Sequence, residues 1–250
     1  EVPGPDFTMN SRNILADLLV SALSNGSQVV TGCEVQNIDT SGTEAHIKTS
    51  LSNFKARRVA ICSAGGLKGQ QVAHVNYAPM IVYKNLAQDT PSFVELDAQE
   101  SNCINLINKG NGYGLAGGIS LPSLDQVPAY LDHCLALQKQ RNPQAEIVDT
   151  YIGEKRELLL EGEKRNYLFH INEIDTNVMN VVLGKFTLMF SMAPEFVRRV
   201  YKHNPPTSPS NLSSSHHTSH PLVGNTRWMD ILIANGETPN GHDQTTSQRN

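Results

Sequence analysis

The sequence has no apolar run approaching the ~18 residues that a membrane-spanning helix needs, and its four cysteines, Cys33, Cys62, Cys103 and Cys134, form no CxxC pair. The first absence excludes a helical membrane span. The second excludes a zinc ribbon or a disulfide-dense scaffold and leaves reduced, partly buried thiols. There is no excess of positive charge: 20 Lys and Arg against 24 Asp and Glu give a net charge of −4, which argues against nucleic acid as the main partner. Tryptophan occurs once, and the opening residues EVPGPDF supply neither an initiator Met nor an apolar signal core. What is present is the composition of an ordinary globular protein: 250 residues, 39% hydrophobic and 18% charged, enough for one large domain or two small ones.

Apolar residues at helical spacing (Ile14, Leu15, Leu18, Leu19, Ala22, Leu23) predict a surface helix over 10–25, capped by Asn10 or Ser11 and ended by Gly26. Strands are expected from 28–30 and 34–39, followed by a hairpin strand in which Ala45, Ile47 and Thr49 alternate with polar neighbours. The run RRVAIC at 57–62 has the continuous small-apolar character of a strand buried on both faces, and it ends in Ser63-Ala64-Gly65-Gly66. Between 72 and 121, short apolar runs separated by Gly, Asn, Asp and Pro predict a mainly antiparallel sheet with one wet face. A second helix begins near Asp125, tolerates Pro128 in its first turn and stops before Pro143. Further strands are expected at 147–152, 167–171 and 178–183, the last leading through Gly184-Lys185-Phe186-Thr187 into a helix reaching about Lys202, in which Pro194 should kink or shorten the helix. Beyond Asn204 the chain turns to Pro, Ser, Thr, Asn and His, with one apolar patch at 228–233, and reads as a tail that is disordered or loosely docked. No metal site is expected at His216, His217 and His220, because the surrounding prolines and serines disfavour a helix that would align them.

Two segments share one form, a short apolar strand running straight into a glycine-bearing turn. At 59–66 the turn lacks bulk, so a flat ring or a diphosphate can approach the backbone N–H groups; the same small residues also suit a tight crossing of two chain segments. At 181–187 a strand, a glycine, a lysine and a hydroxyl residue converge on a helix start, where free N–H groups and the helix dipole favour an anion or an electron-rich ring. The alternative there is a solvated lysine beside an ordinary helix cap.

Taken in order, these features resemble a known family. The stretch FTMNSRNILADLLVSALSNGSQVVTGCEVQNIDTSGTEAHIKTSLSNFKARRVAICSAGG resembles the middle of FAD-dependent oxidoreductases of the D-amino-acid oxidase and glycerol-3-phosphate dehydrogenase superfamily. The stretch RNYLFHINEIDTNVMNVVLGKFTLMFSMAPEF resembles the C-terminal signature of the dehydrogenase branch, and the likeness covers about residues 6–202. The resemblance implies FAD as cofactor. It places Val35 beside the adenine, Ser63, Ala64, Gly65 and Gly66 along the adenosine and diphosphate, and Gly184, Lys185, Phe186 and Thr187 at the pyrimidine edge of the flavin. Arg165, with Lys185, would face an anionic substrate, since a guanidinium holds a carboxylate or phosphate by two parallel bonds; Arg156 matches a second such arginine less closely. The family's opening βαβ unit, with GxGxxG turning a strand into a helix, is missing. The glycine-rich YGLAGG at 113–118 falls inside the sheet region, where its glycines read as strand crossings or a bulge.

The expectation is therefore a mixed α/β (α+β) chain: a partial, Rossmann-like FAD-binding domain from 1–70 and 172–203, an antiparallel-sheet substrate domain over 71–171, and a disordered tail over 204–250. Its function would be that of the later portion of an FAD-dependent oxidoreductase. It would act on a small anionic substrate bearing an alcohol or amine by hydride transfer to flavin, and the chain alone would bind FAD weakly or not at all. A non-catalytic binding or scaffold module derived from such a flavoprotein is the alternative. His74, His133 and His170 are scattered, and none is assigned as a general base.

Overall fold

Asn10 opens the first helix as its position predicts: its Oδ1 accepts hydrogen bonds from the amides of Arg12 (3.0 Å) and Asn13 (3.2 Å). The computed structural model of the protein describes residues 10–63, 74–97, 102–117, 119–157, 168–205 and 220–238. Helix α1 spans Ser11–Ser24, and the left-handed Gly26 (φ 87°) ends it. Ala16 is the buried residue of α1, while Leu15 and Leu18 on the apolar stripe stay exposed. The chain divides into two compact units, one of residues 1–27, 76–154 and 211–250, the other of residues 28–75 and 155–210.

In the second of these units, β1 (Val35–Asp39), β2 (Ala45–Thr49) and β3 (Asn53–Ala56) form an antiparallel sheet in that order. Ala45, Ile47 and Thr49 are the more buried positions of β2, as their alternation predicts. The strand expected at 28–30 is not formed: Val29 and Val30 are exposed, and a turn at Thr31–Gly32 separates them from β1. A second small sheet has the order β10 (Phe169–Asp175), β11 (Val178–Leu183), β4 (Val59–Ile61), with β10 antiparallel and β4 parallel to β11. The expectation that 57–62 is buried on both faces is corrected here. Among the described residues β4 is the edge strand, and only its one-sided alternation survives, with Ile61 buried and Ala60 and Cys62 exposed. Helix α3 (Met189–Tyr201) follows β11 through a 3-10 turn at Phe186–Leu188 and runs on through Pro194.

The first unit is built on a five-stranded sheet in the order β6 (Phe93–Asp97), β7 (Asn102–Gly110), β8 (Tyr113–Gly117), β5 (His74–Lys84), β9 (Glu146–Glu157). The letters of Gly112-Tyr113-Gly114-Leu115-Ala116-Gly117 spell GxGxxG, yet Gly112 lies in the turn before β8 and the other five form β8, which pairs antiparallel with both β5 and β7. No strand-to-helix turn exists there to hold a diphosphate. The glycine at 117 answers to packing instead, because a Cβ on it would stand 2.6 Å from the Pro79 carbonyl oxygen and 2.5 Å from Met80 Sδ.

Side-chain alternation along these strands sorts the core into two layers. Ile81, Tyr83, Ile104, Leu106 and Ala116 pack with Val127, Tyr130 and Cys134 of helix α2 (Val127–Arg141), which begins with Pro128 in its first turn. Val82 and Leu115, on the opposite face, pack with Ile231 and Leu232 of helix α4 (Arg227–Ala234). The second face is therefore not wet, and residues 227–234, within the tail expected to be disordered or loosely docked, form a docked helix. Complete burial of Leu232 explains this, since such a side chain contributes about 1.5–3 kcal/mol. No described helix is long and apolar enough to cross a membrane.

Candidate functional site

Strands β4 and β11, which in the sequence lead into the two glycine-bearing segments, are neighbours in one sheet. They lie side by side in a parallel register, Val59 opposite Val178, Ala60 opposite Met179 and Ile61 opposite Asn180. Parallel neighbours point their carboxyl ends the same way, and ligands of such sheets bind outside those ends. Cys62 and Ser63, both exposed, leave β4 on the side toward which β11 continues to Leu183 and Gly184. Ala64, Gly65 and Gly66, expected to continue this turn, lie outside the described residues, as does Arg165.

The turn after β11 is fixed by backbone geometry. The buried Gly184 donates its N–H to the Leu168 carbonyl (3.0 Å), and Lys185 is extended (φ −144°, ψ 147°). The chain then winds into the 3-10 turn, closed by Leu188 N–H to the Lys185 carbonyl (3.1 Å), and on into α3. A helix start leaves its first N–H groups without an internal acceptor. Here no side chain caps them and no acidic residue lies in the first turn, so the positive end of the dipole is not offset locally. Lys185, Phe186 and Thr187 are exposed around it. Backbone N–H groups, the Lys185 side chain and the Thr187 hydroxyl meet at this helix start, residue types that suit the electron-rich carbonyl edge of a flat heterocycle or an anion.

The opposite end of β11 is clamped by a residue with no obvious motif in the sequence. Asn177, in the two-residue turn between β10 and β11, is buried; its Nδ2 donates to the Thr43 carbonyl (3.1 Å), and its Oδ1 accepts from Arg58. Beside it the Thr40 hydroxyl donates to Asp175, and Val59 N–H donates to the Asn177 carbonyl (2.8 Å). The Asp175 carboxyl is held below the usual carboxylate range by the hydrogen bond from Thr40 and then by that from the Thr176 amide. These bonds tie the turn between β1 and β2 to the start of β11 and β4. Val35 sits at the other end of β1, opposite Thr49 and beside a register irregularity before Asn37. The only signal for Asn177 in the sequence is a Thr-Asn pair between two apolar runs.

The scattered histidines stay apart: His74 opens β5, His133 lies on α2, and His170 lies on β10 opposite Val182. Arg156 is exposed near the end of β9. The described residues contain no group of three His, Cys, Asp or Glu placed to hold a metal; His216 and His217 fall outside them.

No protein-family model matches the sequence, and no curated protein does. Solved structures do match the fold. NikD, an unusual amino acid oxidase essential for nikkomycin biosynthesis, superposes in its open form with a TM-score of 0.59 at 15% identity, over 80% of this chain and 58% of that one. L-proline dehydrogenase from P. horikoshii matches with a TM-score of 0.55 at 15% identity, over 73% of this chain and 52% of that one. Glycine oxidase from Geobacillus kaustophilus gives a TM-score of 0.54 at 15% identity, over 78% and 55%. The chain thus spans a little over half the length of each of these enzymes, and it is similar in fold to amino-acid-oxidising proteins of the kind the sequence resemblance implies.

Proposed function

We propose that this chain is the later portion of an FAD-dependent oxidoreductase acting on a small anionic substrate that bears an amine or alcohol. The observation that carries the reading is the parallel pairing of β4 with β11, the latter leading through Gly184 into a helix start that no side chain caps among the described residues. In this reading β4 and β11 belong to a partial Rossmann-like FAD-binding domain, expected over 1–70 and 172–203, and the five-stranded sheet belongs to the substrate domain, expected over 71–171.

Gly184, Lys185, Phe186 and Thr187 would hold the pyrimidine edge of the flavin, Ser63 to Gly66 the adenosine and diphosphate, and Val35 the adenine. When bound, FAD supplies the hydride acceptor for a C–H bond next to the amine or alcohol. The protein's share is orientation and charge: the N–H groups at the start of α3 and the Lys185 ammonium favour negative charge on the ring edge they face. Arg165, with Lys185, would hold the substrate's carboxylate or phosphate.

The test is the visible absorbance spectrum of the protein from its complete reading frame, before and after reconstitution with FAD. Flavin bands that survive gel filtration, and that are lost or weakened by Lys185→Glu, are the expected result. A colourless protein that takes up no FAD overturns the reading in favour of a binding or scaffold module.

A further inference from the structure

Helix α4 ends in a way that fixes the position of one carboxylate. Gly236 (φ 76°) donates to the Ile233 carbonyl (3.0 Å) and Glu237 N–H to the Leu232 carbonyl (2.9 Å), the paired bonds of a Schellman turn. That turn folds Glu237 back onto the sheet. There its Oε1 accepts from Lys84 Nζ (3.1 Å) on β5 and its Oε2 from the Tyr113 hydroxyl (2.9 Å) on β8. The two donors come from neighbouring strands, in which Tyr83 pairs with Gly114, so the backbone ladder sets their spacing.

A carboxylate just past a helix C-terminus faces the negative end of the dipole, so its place there depends on the two donors it meets. The hydrogen bond from Lys84 and then that from Tyr113 hold the Glu237 carboxyl below its usual range, and Lys84 is raised by the same bond. Glu146 stands further off, 3.8 Å from Lys84 Nζ, with its own hydrogen bond from Asn85. Adjoining this polar pair is the apolar floor of Val82, Leu115, Met80 and Tyr151, filled by Ile231, Leu232 and Trp228, with Lys109 Nζ 5.6 Å over the Trp228 ring.

We propose that Lys84 and Tyr113 form a carboxylate-binding site occupied by Glu237 as an internal ligand, and that the segment 220–238 is a displaceable cap. The external ligand it excludes combines one carboxylate with a compact apolar body, the pair of features that Glu237 and the Leu232 and Ile231 side chains supply. This goes beyond the oxidoreductase reading and stands without any flavin.

Trp228 is the only tryptophan of the chain, so its emission reports the cap directly. N-acetyl-leucine serves as probe and its neutral amide as control. Glu237→Gln should shift Trp228 emission to longer wavelength and bind N-acetyl-leucine with a half-saturation about tenfold lower than wild type, as loss of one charge-assisted competitor implies. The amide should have no effect, and adding Lys84→Met to Glu237→Gln should abolish binding of the acid. In unaltered protein, saturating N-acetyl-leucine should raise amide hydrogen exchange in 227–234 while α2 stays protected, a readout that does not rely on any variant folding. Equal response to acid and amide, or unchanged exchange together with no gain in affinity for Glu237→Gln, overturns the proposal. Neither measurement involves FAD, so a failure here is separable from a failure of the oxidoreductase reading.

Discussion

Asn180 of β11 lies directly across a parallel register from Ile61 of β4. Parallel neighbours need a crossover connection, and here the crossover is long: between Ile61 and Val178 the chain builds the five-stranded sheet and α2 before it returns through β10. The pairing is held at its start by the clamp around Asn177.

The clamp should be worth more than its place in a turn suggests. Asn177→Ala removes a donor to the Thr43 carbonyl and an acceptor for Arg58 at a buried position. It should lower stability by about 1–3 kcal/mol, the cost of leaving buried partners unpaired. Asn177→Asp keeps the acceptor and should fall between the two, as read by urea denaturation midpoints.

Two buried tyrosines should respond in opposite directions to loss of the hydroxyl. Tyr130 donates to the Cys103 carbonyl (2.9 Å) and accepts from the Ile119 amide (3.3 Å), so Tyr130→Phe should cost about 1–3 kcal/mol. The Tyr83 hydroxyl is buried with no hydrogen-bond partner among the described residues, and burial pushes its pKa well above the usual phenol value. Tyr83→Phe removes an unpaired polar group and should leave stability unchanged or raise it. Thermal unfolding of the two variants side by side checks the contrast.

Gly117→Ala should be among the more damaging single-methyl additions. The new Cβ would meet the Pro79 carbonyl oxygen of the paired strand at 2.6 Å, and backbone cannot yield as a flexible side chain does. A loss of about 1–3 kcal/mol is expected, measured by urea denaturation. A fully stable alanine variant would show that β5 and β8 can separate at no cost.

Asp175 should give stability a dependence on acid pH. Its folded-state carboxyl titrates below the ordinary 3.8, chiefly because of the Thr40 hydroxyl. A depressed carboxyl contributes stability that is fully present above the unfolded value and is lost as pH falls through the folded one. The gap in urea midpoint between wild type and Thr40→Val should therefore be present at pH 6 and close as pH drops below 3.8. A gap that stays constant over this range would rule out the linkage.

Much of the fold was legible in the sequence wherever a local pattern sets the local structure. Asn10 and Gly26 bracket α1, the alternation of Ala45, Ile47 and Thr49 marks β2, and VMNVVL marks β11 to the residue. The misreadings share a cause. Whether RRVAIC is a central or an edge strand depends on its neighbours, which the run itself does not encode. The apolar patch at 228–233 reads as part of a tail until a sheet face is present to receive it.

By itself the sequence determined α1, most of the strands and α2, and that two strands lead into glycine-bearing segments, because capping, alternation and turn chemistry act over a few residues. Only the tertiary structure decided that the strands leading into those segments, β4 and β11, pair in parallel, that Asn177 locks the start of that pairing, and that Glu237 reaches Lys84 and Tyr113. These are contacts between residues more than a hundred positions apart. Chain entropy opposes such contacts until burial of the strands and helices that carry them offsets it.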